Sequence, residues 1–110
     1  MSNIHVPHLQ TGSITLESDE MARFPADKHR TFFAAQDDDQ WNGFLWIGEN
    51  PPANVLEWFS FGSTADVDTI TIERGVYGPI YIAEPNNQGG QVTYLSPLDE
   101  QITIEPLPTE

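Results

Sequence analysis

The residues best spaced for chemistry lie between Asp38 and Glu49. Counted as a twelve-residue loop from Asp38, the window places Asn42 at position five, Gly43 at position six and Glu49 at position twelve. Those are ligand and sharp-turn positions of an EF-hand calcium loop. Gln40 stands at position three and Trp46 at position nine, however, and Pro51 and Pro52 follow the window. No amphipathic helix precedes it, and such a loop needs flanking helices to aim its oxygens. The segment therefore reads as a hairpin tip with Asp37, Asp38 and Asp39 in solvent. His5 and His8 lie three apart with Pro7 between them. Two imidazoles start a metal site but need a further ligand on a fixed backbone, and none is evident.

Nucleophilic chemistry has no better support. The chain has no cysteine, hence no thiolate ligand, thiol nucleophile or disulfide frame. No serine stands in a nucleophile elbow, and Gly89-Gly90 lies in a hairpin rather than between a strand and a helix, where a phosphate loop would be. With 17 acidic residues, any one carboxylate pair is uninformative. The expectation is a protein that is not an enzyme, with no catalytic residue, no metal and no cofactor assigned.

Charge points toward binding. Net charge is −13, and the four basic residues are unevenly placed: Arg23, Lys28 and Arg30 fall within eight positions, with His29 among them. From Thr31 onward there are 13 carboxylates against one arginine, Arg74. Such a surface repels nucleic acid and anionic membrane. The segment holding Arg23, Lys28 and Arg30 is the expected protein-contact surface, with the acidic remainder outward. No run approaches the length of a membrane span, and residues 1–8 lack the basic and apolar regions of a signal peptide.

The elements that would position these residues are strands. Residues 1–12 lack periodicity and read as an extended arm. Residues 13–17 (Ser-Ile-Thr-Leu-Glu) alternate as a first strand, and residues 18–23 suggest one helical turn capped by Ser18. Strands are then expected over residues 31–35, 43–48, 56–61, 69–73, 79–83, 91–95 and 101–105, separated by Pro, Gly, Asn and Asp turns. Ile70 and Ile72 should point inward. Residues 43–48 should be a central strand buried on both faces, and most of the set Trp41, Phe44, Trp46, Trp58, Phe59 and Phe61 should be core. The fold expected is all-β: one small jelly-roll-like sandwich of about eight short strands over residues 13–105, with a Pro-rich tail at 106–110.

The ordering over residues 30–95 resembles small β-sandwich accessory proteins of tailed-phage particles. Arg30-Thr-Phe-Phe-Ala-Ala is similar to their opening strand, and Phe44-Leu-Trp-Ile-Gly48 to the aromatic strand after a polar turn. Residues 69–75 (Thr-Ile-Thr-Ile-Glu-Arg-Gly) leading into 78–83 (Gly-Pro-Ile-Tyr-Ile-Ala), then 91–95, complete the likeness. It is a likeness of strand rhythm, without a diagnostic motif. It implies a bacteriophage virion structural protein, such as a head decoration, fibre-base or tail-associated subunit, assembled in the host cytoplasm. Partners would be other virion proteins and copies of itself, as a homo-oligomer or part of a larger assembly. A second expectation, from charge, is an acidic DNA-mimic inhibitor or immunity protein. A third, from the aromatic residues, is a carbohydrate-binding module.

Overall fold

In the computed structural model, residues 9–38, 42–62, 65, 67–86 and 88–108 are described. They form nine strands: β1 (Gln10–Leu16), β2 (Glu20–Phe24), β3 (Phe33–Asp37), β4 (Asn42–Ile47), β5 (Phe59–Gly62), β6 (Thr69–Ile72), β7 (Ile80–Ala83), β8 (Gly90–Ser96) and β9 (Thr103–Pro106). The helical content among the described residues is one 3-10 turn, Val55–Glu57, so no helix is long and apolar enough to cross a membrane. One sheet has the order β1-β8-β3-β6 and the other β5-β4-β7-β2-β9, all antiparallel. The result is a β-sandwich.

Pairing among the first eight strands is nested. β4 pairs with β5, β3 with β6, β2 with β7 and β1 with β8. A ribbon paired in this way closes into two sheets when its edges meet, here through β3 against β8 and β4 against β7. β9 then extends the second sheet by pairing with β2, Ala22 facing Ile104.

Period-two alternation fills the space between the sheets. Ile14, Leu16, Ala22, Phe24, Phe33, Ala35, Leu45, Phe61, Ile80, Ile82 and Val92 form one buried cluster, with Ile70 and Ile72 packed against it as expected. At its centre Phe24 meets Phe33 and Tyr94 edge-on, with ring centroids 5.1 and 5.0 Å apart. The alternate residues of the second sheet make a cluster on its outer face: Met21, Trp58, Tyr81 and Ala83, flanked by Phe44, Trp46, Val55 and Leu107. The segment after β4 folds back over that face, where Trp58 Nε1 donates to Pro52 O at 3.0 Å. The central strand β4 is thus apolar on both faces for two reasons: one faces the sandwich core, the other lies under its own Pro-rich loop.

Several expectations need correction. The helical turn over 18–23 does not form. Glu17 to Glu20 is a tight turn, with Glu20 N donating to Glu17 O at 3.1 Å and Glu17 N to Glu20 Oε1 at 2.8 Å. β2 follows, a ninth strand where eight were expected. Ala22 and Phe24 are both buried at alternate positions, and a few residues cannot repay helix nucleation against that burial. The arm is shorter than expected, because Gln10, Thr11 and Gly12 already pair with Ser96, Leu95 and Tyr94. At the other end Pro106 belongs to β9, and Leu107 N donates to Asp19 O at 2.9 Å. Asp37 is not in solvent either; it is a buried residue of β3, opposite Val92.

Glycine is required where β8 begins. Gly89 has φ of +70°, and a Cβ there would run into the carbonyl oxygen of Leu16 at the end of β1. Only a residue without a side chain lets that loop approach β1 so closely.

Tyr94 gives the fold a dependence on alkaline pH. Burial against Phe24 and Phe33 raises its phenol pKa from 10.0, and the nearby carboxylates of Glu100 and Asp99 add to the effect. A folded-state pKa above the unfolded value means the stabilisation is whole below the unfolded pKa and is lost as pH climbs through the folded one. Spectrophotometric titration should therefore find a tyrosine ionising later than a model phenol, with denaturant resistance falling over the same interval. Tyr94→Phe should remove the late step. If the late step persists in that variant, the assignment to Tyr94 is wrong.

Candidate functional site

The two sheets part along the seam between β5 and β6. β6 ends its sheet and β5 ends the other, and Gly62 N of β5 donates to Val67 O in the connection between them at 2.9 Å. A cleft of about 300 Å³ opens there, lined by Leu45, Ile47, Phe59, Val67, Ile70 and Ile72, with Ser60. Its inward walls arise from alternation. Ile70 and Ile72 come from β6, Leu45 and Ile47 from β4, and Phe59 shares the strand face of the buried Phe61. Phe59 is 67% exposed, Val67 46% and Ile47 38%. A large ring left in water beside an apolar opening makes this the candidate contact site, because isolated domains rarely expose a continuous apolar patch without a use for it.

Four carboxylates lie near the lining residues in sequence. Glu49 stands two residues after Ile47, Glu57 two before Phe59, Asp68 directly after Val67 and Glu73 directly after Ile72. All four are exposed, and so is Arg74 beside Glu73. The lining itself is an apolar slot. Apart from the Ser60 hydroxyl its lining side chains are apolar, so what it offers chemically is burial for an apolar group. The sequence reading expected most of six aromatic residues to be core without saying which, and Phe59 is one that is not.

The expected contact residues do not come together. Arg30 is fully buried and holds the loops at one end of the sandwich. Its guanidinium forms a bidentate pair with Glu100, Nη2 to Oε1 at 2.7 Å and Nε to Oε2 at 2.8 Å. It also donates to the carbonyl oxygens of Val76, Gly78 and Pro25. Arg30 is a structural clamp, withdrawn from any partner. Arg23 lies on the outer face of β2, where Nε donates to Tyr81 Oη at 3.1 Å and the guanidinium stacks over that ring. The bond to the tyrosine oxygen raises the arginine's pKa above its ordinary value. Lys28 and His29 are exposed in the turn between β2 and β3.

The calcium reading fails on geometry. Asn42 begins β4 and Glu49 lies beyond its far end. At the rise of an extended strand the two are roughly 20 Å apart, far too distant for one cation. Asp38, before β4, accepts from Thr93 Oγ1 at 2.6 Å. Asp39, Gln40 and Trp41 lie outside the described residues, as do His5 and His8. Among the described residues no group of three or more His, Asp or Glu side chains converges on a point that could hold a metal ion.

No family model matches this chain, and no curated protein and no solved structure matches it significantly.

Proposed function

We propose that this chain is an assembly subunit: a jelly-roll sandwich that works by protein–protein contact, as a structural component of a bacteriophage particle. The observation that carries the reading is the open seam between β5 and β6, with Phe59 two-thirds exposed at an apolar slot. The nested pairing of eight strands supports the jelly-roll assignment, an architecture that virus capsid domains use among other proteins. Fold alone does not carry function; the exposed seam adds a place for a neighbour to dock. In this reading the subunit decorates a head or belongs to a fibre base or tail, and it is found in the particle.

The carbohydrate reading has two exposed rings to draw on among the described residues, Phe59 and Tyr77. Trp58 and Tyr81 are buried by the loop over the outer face, and Trp46 and Phe44 are half covered. A sugar-stacking surface needs such rings in the open. The test of the assembly reading is mass spectrometry of purified particles together with sedimentation of the isolated protein. Stoichiometric recovery in the particle is expected. A protein absent from particles that sediments as a monomer at every concentration would overturn the reading.

A further inference from the structure

We propose that the outer face of the β1-β8-β3-β6 sheet is a contact between two copies of this chain, packed face to face about a twofold axis that runs between β8 and β3. The proposal deepens the assembly reading and rests on it in assuming that copies meet.

Charge selects the face. Strand alternation turns one set of side chains of this sheet away from the core. β1 gives Thr11, Ser13 and Thr15, and β8 gives Gln91, Thr93 and Leu95. β3 adds Ala34 and Gln36, and β6 adds Thr69 and Thr71. None of these is charged, in a chain of 17 acidic and four basic residues. The outer face of the other sheet carries Arg23 and Glu105 instead. Copies of net charge −13 repel one another, and a close contact between them needs a surface poor in carboxylates.

Hydrogen-bonding chemistry selects the occupant. A hydroxyl or a side-chain amide both donates and accepts, so a face of Thr, Ser and Gln complements a second face like itself. A carboxylate only accepts, and an identical carboxylate cannot satisfy it. Two bonds already hold side chains of this face in place. Gln91 Nε2 donates to Ser13 Oγ at 2.5 Å, and Thr93 Oγ1 donates to Asp38 Oδ2 at 2.6 Å. Asp38 thereby brings one carboxylate to the end of the face, beside Gln91, whose carbonyl oxygen accepts from Asp38 N.

Shape fixes the register. Paired residues form two rows across the sheet, Thr11-Leu95-Ala34-Thr71 and Ser13-Thr93-Gln36-Thr69. Leu95 is the one large apolar side chain in them. Beside it a dent of about 80 Å³ lies among Ala34, Gln36, Thr69, Thr93 and Leu95. An axis between β8 and β3 sets Leu95 of each copy over Ala34 of the other, the reciprocity that a self-complementary interface requires. It also sets Asp38 against Gln91 rather than against a second Asp38. Four strands about 4.8 Å apart, the longest of seven residues at about 3.4 Å each, give a face roughly 20 Å on a side. That is small for a specific interface. The pair is therefore weak and forms where copies are concentrated, as in an assembly.

Analytical ultracentrifugation of the intact protein, in a concentration series into the millimolar range, tests this. A monomer–dimer equilibrium is expected, strengthening with added salt because screening weakens repulsion between copies. Gln36→Glu, at an exposed position, should weaken it at least about a hundredfold by setting carboxylates together across the axis. Mixing that variant with Gln36→Lys protein should restore a dimer containing one of each. Leu95→Ala should weaken the pair about tenfold by emptying the socket. Thr103→Glu adds the same charge on the outer face of the other sheet, and Phe59→Ser alters the β5–β6 seam; both should leave the equilibrium unchanged. A protein monomeric throughout the series, a dimer indifferent to Gln36→Glu, or one lost in Phe59→Ser would overturn the proposal. Particles score the broader reading separately: a monomeric protein recovered stoichiometrically from them leaves the assembly role standing while this face's part in it falls.

Discussion

Replacing Arg30 by methionine is expected to cost about 3–5 kcal/mol of folding stability, the range for removing one member of a buried ion pair. The guanidinium is 0% exposed and makes five hydrogen bonds, two to Glu100 and one each to Val76, Gly78 and Pro25. Glu100 is itself held by Ser96 Oγ at 2.7 Å. One side chain thus joins the turn after β2, the loop between β6 and β7, and the connection from β8 to β9. Methionine fills much of the volume but leaves a carboxylate buried without its cation, and three carbonyl oxygens without this donor. In a domain of this size the loss corresponds to a melting point lower by roughly 12–20 °C. Thermal denaturation checks it, and a fall equivalent to less than about 1 kcal/mol would refute the clamp. The pair variant Arg30→Met, Glu100→Leu should recover part of the stability, since no charge is then stranded. Recovery should be incomplete, because the three carbonyl oxygens still lack their donor.

The second large effect is expected at Phe24. Its ring is fully buried between the sheets and meets Phe33 and Tyr94 edge-on, while Phe33 and Tyr94 stack with centroids 6.4 Å apart. Phe24→Ala should cost about 3–5 kcal/mol, from lost transfer energy and from the cavity that the strands cannot close. Favourable edge-to-face geometry adds about 0.5–1.5 kcal/mol per aromatic pair beyond burial. Phe24→Leu should therefore cost less than half as much, yet more than its lost area implies. Urea denaturation distinguishes these outcomes: the midpoint should fall with little change in slope. Equal losses for alanine and leucine would show that the ring geometry contributes nothing.

Both effects depend on partners far away in sequence, and that sets what could be read in advance. The alternating segments were legible because burial on one face of a strand imposes a period of two. Thr69 to Ile72 and residues 91–95 became strands with Ile70, Ile72, Val92 and Tyr94 inward, as the pattern required. β2 was not legible. Glu-Met-Ala-Arg-Phe is short and begins after a good helix cap, so local preference competes with the pairing of Ala22 to Ile82 and Ile104. Pairing decided the matter by burying Ala22 and Phe24.

The site was less legible than the fold. Arg23, Lys28 and Arg30 looked like one basic surface because they are neighbours in the chain. Arg30 instead turns inward to a carboxylate seventy positions later, a choice no local window records. Phe59 and Phe61 share a strand face and a residue type, yet Phe61 is buried and Phe59 opens to water.

What the sequence determined by itself was therefore the material: an acidic chain of alternating β segments, without cysteine, with enough aromatic residues for a core. Tertiary structure decided which strands end the sheets, which arginine is structural and which ring stays exposed. The physical reason is that alternation reports only whether a face is buried. What covers that face depends on strand order, and strand order is set by contacts between residues the chain brings together only on folding.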